Sequence, residues 1–377
     1  MKRLASIAMG PRDDVTLWPV EGLRGLAAFM VMWWHLRHWV TDARRPDAFG
    51  YTGVDLFFVL SGFVFAPYVF GKPLALWPYV LRRILRIYPL FLVSLLVYAL
   101  LRELQGADPW RFMWQHVLML HTSVSREMAA YYNGAYWSLP VEVEFYALVP
   151  LLAWLVARGR WWFGVMLALA VASHLALSLW AVPGQAPMWL VLANVHWPGL
   201  WAEFLLGCLA WQVGRLPGAR RWTHWLLAIA AVLWLSAAMV WVAVGDAGVV
   251  AHPLLRGNMG YWAAVAYALL MCVVAARSAT SPTSVTGDTP VWRRWLVGLS
   301  ILCGQLSYGV YLLHNAGQEI SGLLWPGMTG WPRVLAAAGL TVAAAWLLHH
   351  VVEAPVRAWG RSRLTATRHR DTTSTVR

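Results

Sequence analysis

Ionisable side chains stand inside the apolar stretches of this 377-residue chain and sort by type. Arg24, Arg82, Arg83 and Arg86 lie toward one end of the stretches that hold them, and His35, Asp55, Glu142, Glu203 and His314 toward the other. An imidazole near neutral pKa can take a proton or act as a nucleophile, and a carboxylate beside it can orient the ring. Guanidinium groups hold phosphate oxygens through paired, charge-assisted hydrogen bonds. The combination suits a ligand that is long, anionic at one end and reactive at its tip. A charged side chain in hydrocarbon costs at least about 2.5–3.5 kcal/mol on insertion scales, so each of these residues is a functional candidate. Two blander readings stand beside this one: Leu81-Arg82-Arg83-Ile84-Leu85-Arg86 also reads as a membrane-flanking anchor, and His35 as a hydrogen-bonded packing residue.

The elements that must position these groups are membrane helices. Hydrophobic residues make up 60% of the chain and charged ones 12%, with a mean hydropathy of +0.54; a soluble domain carries roughly 45–50% and 25%. At about 20 apolar residues per crossing, spans fall at 22–40, 51–70, 84–101, 136–157, 161–182, 197–214, 222–244, 258–276, 296–316 and 333–353. The apolar stretch 112–120 is too short to cross and reads as interfacial or re-entrant. With the N-terminus inside, 21 of the 30 Lys and Arg fall on inner segments and seven on outer ones, the bias expected of cytoplasmic loops. The fold class is therefore an all-α polytopic membrane protein, a bundle of about ten transmembrane helices with both termini cytoplasmic. At 1.5 Å per residue, Arg24 lies about 3 Å above the inner end of its span and His35 about 20 Å; Asp55, Glu142 and Glu203 sit within about 6–9 Å of the outer surface. Eleven residues complete nearly whole turns, so Arg24 and His35 share a helix face, and Ser307 and His314 are nearly aligned on theirs.

The formal charge of +13 belongs to loops between apolar spans, where cations set topology and touch anionic headgroups; nucleic acid is not an expected partner. Cys208, Cys272 and Cys303 are isolated within apolar sequence, which provides neither a disulfide framework nor metal-ligand spacing, so no metal is expected. No removable signal peptide is expected at the N-terminus. Residues 278–290 read as a polar, flexible cytoplasmic loop, and 358–377 as a basic, disordered tail against the inner leaflet.

Seven short segments, in order, resemble the acyltransferase 3 family of integral-membrane O-acyltransferases. They are Glu21-Gly22-Leu23-Arg24-Gly25-Leu26-Ala27 with His35; Gly53-Val54-Asp55-Leu56-Phe57-Phe58-Val59-Leu60-Ser61-Gly62-Phe63; Arg82-Arg83-Ile84-Leu85-Arg86-Ile87-Tyr88-Pro89; Trp137-Ser138-Leu139-Pro140-Val141-Glu142 with Phe145-Tyr146; Glu203-Phe204-Leu205-Leu206-Gly207; Ser307-Tyr308-Gly309-Val310-Tyr311-Leu312-Leu313-His314; and Glu353-Ala354-Pro355. The resemblance spans residues 17–357 and departs from the family pattern at Pro140, where a small or polar residue is usual. It implies a cytoplasmic N-terminal segment (1–21), a transmembrane acyltransferase domain (22–357) and the tail.

The resemblance further implies that acyl-CoA, most often acetyl-CoA, donates an acyl group to a hydroxyl of a surface glycan, exopolysaccharide or lipopolysaccharide precursor, or of a macrolide-type small molecule. Arg83 and Arg86, with Arg24 and Arg82, are the candidates for holding the donor phosphates. His35 is the candidate general base or transient acyl carrier, with Asp55, Glu142 and His314 as the other candidate catalytic residues and Asp55 or Glu142 orienting the ring. Glu203, Ser307 and Trp137 are candidates for substrate binding. The expected setting is the bacterial inner membrane, with lipids and a hydroxyl-bearing acceptor as partners and self-association left open. Some relatives carry an additional C-terminal esterase-like domain, for which no G-x-S-x-G elbow is expected here. A transporter or flippase for a lipid-linked glycan is the competing class, since buried charges also mark translocation paths; it predicts an inverted repeat and interrupted helices.

Overall fold

A computed structural model describes residues 18–278 and 289–363. The expected N-terminal segment before residue 18, most of the 278–290 loop and the tail after residue 363 lie outside the described residues. Ten long helices follow one another within them: α1 (Trp18–Leu36), α2 (Gly53–Val69), α3 (Leu76–Leu104), α4 (Ser138–Arg158), α5 (Trp161–Trp180), α6 (Trp197–Gly214), α7 (Thr223–Ala251), α8 (Asn258–Ser278), α9 (Val291–Leu324) and α10 (Gly330–Leu348). Among the described residues there is no strand, as fits apolar segments whose backbone groups must be satisfied within each segment in lipid.

Eight of these helices are long and apolar enough to cross a membrane, making this an integral membrane protein. The exceptions are α1, which carries Glu21, Arg24 and His35, and α6, which carries Glu203. Each expected span has its helix, but several ends differ. α1 stops at Leu36, four residues early, because the chain turns into a short 3-10 segment at Arg37–Trp39. There the Arg37 guanidinium donates to the Ala43 carbonyl at 2.6 Å and to Asp47 at 3.3 Å. α9 runs 34 residues, about 51 Å at 1.5 Å per residue, well past the hydrocarbon it would need to cross. The 112–120 stretch contains only a five-residue helix, Met113–Val117, bounded by left-handed Phe112 and Met119, consistent with a segment that does not cross. Pro140, the departure from the family pattern, is the third residue of α4; first-turn amides have no intrahelical acceptor, so proline costs nothing there.

α2 and α8 are the most enclosed of the crossing helices, whereas α5, α7 and α10 present most of their surface outward. Lipid tails are as apolar as leucine, so association of such helices relies on close backbone approach and buried hydrogen bonds. Small residues supply the approach. A Cβ on Gly62 of α2 would strike the Phe204 carbonyl of α6, and one on Gly207 of α6 would strike the Val59 carbonyl of α2. The Cys208 thiol donates across the same seam to the Gly62 carbonyl at 3.1 Å. α1 lies along α9 in the same manner, with Gly22 and Gly25 against Ser300 and Cys303, and Gly304 against Glu21. These two seams hold α2 and α9 as walls of a common interior.

Candidate active site

Antiparallel threading brings the start of α3, the start of α1 and the far end of α10 to one face of the bundle, and the ends of α1 and α3 with the starts of α2, α4 and α6 to the other. On the first face Arg24, Arg83 and Arg86 meet in the wall of a narrow cavity of about 80 Å3 bounded by α1, α2, α3, α4 and α9. That is room for a thin chain or several waters.

The three arginines are not equivalent. Arg24 is held by Glu21 at 2.8 Å, and Arg86 by Glu353 at 2.6 Å. Glu353 is buried and also meets Arg357 at 3.1 Å and His349 Nδ1 at 2.8 Å, the latter because a π-helical turn at His349–Glu353 turns both side chains inward. Arg83 has no ion pair or hydrogen bond among the described residues. Its guanidinium lies 4.9 Å from the centre of the Phe65 ring and 5.5 Å from that of Tyr146, and its Nε is buried without a partner. A buried N–H with nothing to bind is costly, and here it borders the cavity, where an anionic ligand would satisfy it.

Deeper in the cavity, Glu142 accepts from Ser61 at 3.2 Å and from the Tyr146 hydroxyl. Tyr308 and Tyr311 of α9 complete that wall. Tyr311 donates to the Ala135 carbonyl at 2.7 Å and accepts from Ser138 at 2.7 Å, pinning the turn before α4 onto α9. Beyond Tyr311, with ring centres 6.0 Å apart, lies fully buried His314.

His314 Nε2 is 3.1 Å from His35 Nδ1, and the proton positions follow from the partners. His314 Nδ1 faces the carbonyls of Tyr311 (2.8 Å) and Val310 (3.3 Å), which only accept, so it carries the hydrogen. Its Nε2 is then an acceptor in the neutral ring. His35 Nδ1, between the Val31 carbonyl at 3.0 Å and that acceptor, is therefore also protonated. His35 Nε2 is left with its lone pair and no hydrogen-bond partner among the described residues. The ring, with Trp34 edge-on at 4.5 Å, is half-buried. This is an oriented imidazole base in which a second imidazole does the orienting.

A family model described as an acyltransferase domain matches residues 19–350. The chain belongs to this acyltransferase family. A Bacillus subtilis relative provisionally named peptidoglycan O-acetyltransferase YrhL is 26% identical over 90% of the chain, and peptidoglycan O-acetyltransferase OatA of Listeria monocytogenes 24% identical over 90%. In both cases the chain spans about half of the relative's length, 55%. A provisionally named membrane-bound transacylase, BcsY of Komagataeibacter xylinus, is 26% identical over 81% of the chain and 74% of its own length. No solved structure matches the chain.

Within this member of the family, the expected site residues separate into groups. Arg24, Arg83, Arg86, Glu142 and Ser307 border the narrow cavity, and His35 and His314 form the imidazole pair above it. Arg82 is exposed and lies outside the cavity, because one residue along a helix turns a side chain about 100° away from Arg83. Neither Asp55 nor Glu142 orients His35. Asp55, in the first turn of α2, points instead at Glu203 of α6 and packs against Gly260 of α8. Glu203 is buried beside it, with one carboxylate oxygen lacking a hydrogen-bond partner among the described residues, and Glu203 borders neither cavity. Trp137 faces a different cavity on the other side of its turn. Sequence reasoning left out Tyr146, Tyr308, Tyr311 and Phe65 as site residues, although the Tyr308/Tyr311 pair at helical spacing beside Ser307 and His314 marks one face of α9. It also left Glu353 without a role, because the π turn sets it between Arg86 and His349.

Proposed function

We propose that this chain moves an acyl group, most readily acetyl, from cytoplasmic acyl-CoA to a hydroxyl of a surface glycan or its precursor, in the inner membrane of a bacterium, with both termini on the cytoplasmic side and about ten helices crossing. The observation that carries this reading is the cavity that has an unpartnered arginine at one end and, past Tyr311, an oriented imidazole beyond the other. In it Arg83 takes donor phosphate, with Arg24 and Arg86 adding charge. The slender channel suits the flexible arm that follows the nucleotide, and Tyr146, Tyr308 and Glu142 line its course.

At the far end His35 Nε2 accepts the acceptor's hydroxyl proton as the oxygen attacks the thioester carbon. The C–S bond breaks, and the proton passes to the departing thiolate. His314 acts through His35, holding the ring in one tautomer and stabilising the imidazolium that forms. The thioester supplies the activation, so the reaction needs no metal.

The relatives' names support the reaction class: two carry peptidoglycan O-acetyltransferase and one transacylase. A lipid-linked glycan transporter would release no CoA. Purified protein incubated with acetyl-CoA and an acceptor glycan mixture should liberate free thiol, and Arg83→Gln should weaken CoA binding by about tenfold or more. An unchanged dissociation constant for CoA would remove Arg83 from the donor site and with it the support for this reading.

A further inference from the structure

A second and larger cavity, about 320 Å3, opens at the end of the bundle where His35 stands. It lies between the end of α5, the segment before α6, the Arg256-Gly257 turn before α8, and the 122–137 loop. The turn before α4 borders both cavities: Trp137 lines the large one, and its neighbour Ser138 the small one.

Its polar lining is specific. Two arginines, Arg126 and Arg256, border it, and no Asp or Glu does. Arg126 is exposed and has no hydrogen-bond or ion-pair partner among the described residues. Arg256 is fixed, with its Nε donating to the Val250 carbonyl at 2.7 Å and its Nη1 to the Ser178 carbonyl at 3.3 Å. Carbonyls hold the guanidinium in place without neutralising it, and the other amino group stays available. The nearby acids are committed elsewhere, Glu127 to Arg111 at 2.7 Å and Glu144 to His196 at 2.5 Å. The Thr122 hydroxyl, on a fully buried residue of the wall, has no hydrogen-bond partner. Asn194 adds an amide, and Trp137 an aromatic surface.

Uncompensated cations, an unpartnered hydroxyl, an amide and an indole are the complement of a sugar that carries a negative charge. The guanidiniums meet a carboxylate, the hydroxyl and amide meet sugar hydroxyls, and a flat ring covers the apolar face of a pyranose. We propose that this cavity binds the acceptor, and that the acceptor is a saccharide bearing carboxylate groups rather than a neutral glucan. The word acceptor rests on the acyl-transfer reading above. The binding does not, and it is measured with no acyl donor present.

The test uses full-length protein in detergent micelles or lipid nanodiscs, with trigalacturonate as the probe and maltotriose as its neutral counterpart, followed by microscale thermophoresis. Trigalacturonate should bind at least tenfold more tightly than maltotriose and weaken as salt rises. Arg126→Gln, at an exposed position with no partner to lose, should reduce that affinity about tenfold. Arg256→Lys, which keeps the charge but not the fixed fork, should reduce it several-fold. CoA affinity should be unchanged in both variants. Equal affinity for the two trimers, no binding of either, or indifference to both substitutions overturns the proposal. So does displacement of trigalacturonate by nanodiscs of anionic lipid at an affinity the arginines control, which would make this a headgroup site. If CoA fails to bind while trigalacturonate still depends on Arg126 and Arg256, the acyl-transfer reading falls and the saccharide site stands.

Discussion

The difference between Arg83 and Arg86 can be tested as a contrast between binding and stability. Arg86 neutralises Glu353, a side chain only 2% exposed, across 2.6 Å. Removing one partner of a buried pair costs about 3–5 kcal/mol because the other charge is left uncompensated. Here Glu353 keeps Arg357 at 3.1 Å and His349 at 2.8 Å, and the Arg86 side chain is itself 23% exposed, so the cost of Arg86→Gln falls to about 1–3 kcal/mol. Arg83→Gln removes no ion pair, only stacking on Phe65 and Tyr146 that is worth about 1 kcal/mol or less. Denaturant-induced unfolding of the two variants in the same micelle should show the larger loss for Arg86→Gln. Adding Glu353→Gln to Arg86→Gln should restore at least half of it, because the second change removes the stranded charge. CoA binding should show the reverse order, with Arg83→Gln the more damaged. If Arg83→Gln destabilises as much as Arg86→Gln, or if the double variant is no more stable than the single, the division into one anchored and one free arginine is wrong.

Three other outcomes follow from particular contacts. His314→Ala should lower kcat about 10²-fold with little change in KM for the donor, since the residue orients His35 without touching substrate, and His314→Gln, which retains an acceptor, should recover part of the loss; equal effects of the two would deny it an orienting role. The hydrogen bond that His196 donates to Glu144 raises the pKa of His196, so the pair stabilises the fold at pH below the ordinary imidazole value and loses that contribution as pH rises through the raised one; stability measured from pH 5 to 9 should fall less steeply in Glu144→Gln, and an identical slope would show that the pair does not titrate. Gly207→Ala should reduce folded yield or cost about 1–3 kcal/mol, because its methyl meets the Val59 carbonyl with no side chain able to yield; a variant of unchanged thermal stability would mean that the α2–α6 seam is looser than described.

Arg86 and Glu353 also show where sequence reasoning stops. The helices were legible because a membrane demands long apolar runs, and composition, run length and the placement of Lys and Arg report that demand directly. The candidate site residues stand out as types, since ionisable groups are too costly in hydrocarbon to be placed there idly, and helical phase in one uninterrupted element puts Arg24 and His35 on one face. The partners were not legible. Asp55 is as close to the outer end of its helix as an orienting carboxylate should be, yet α6 and α8 pack against α2 so as to give it Glu203. Glu353 meets Arg86 across 267 residues of chain, and His35 meets His314 across 279. Sequence by itself determined which groups exist and where along and around its own helix each one stands, because those are local properties of a rigid 3.6-residue repeat. Which group faces which was decided by the tertiary structure, because it depends on how glycine seams let one helix slide and rotate against another, and no single helix encodes that geometry.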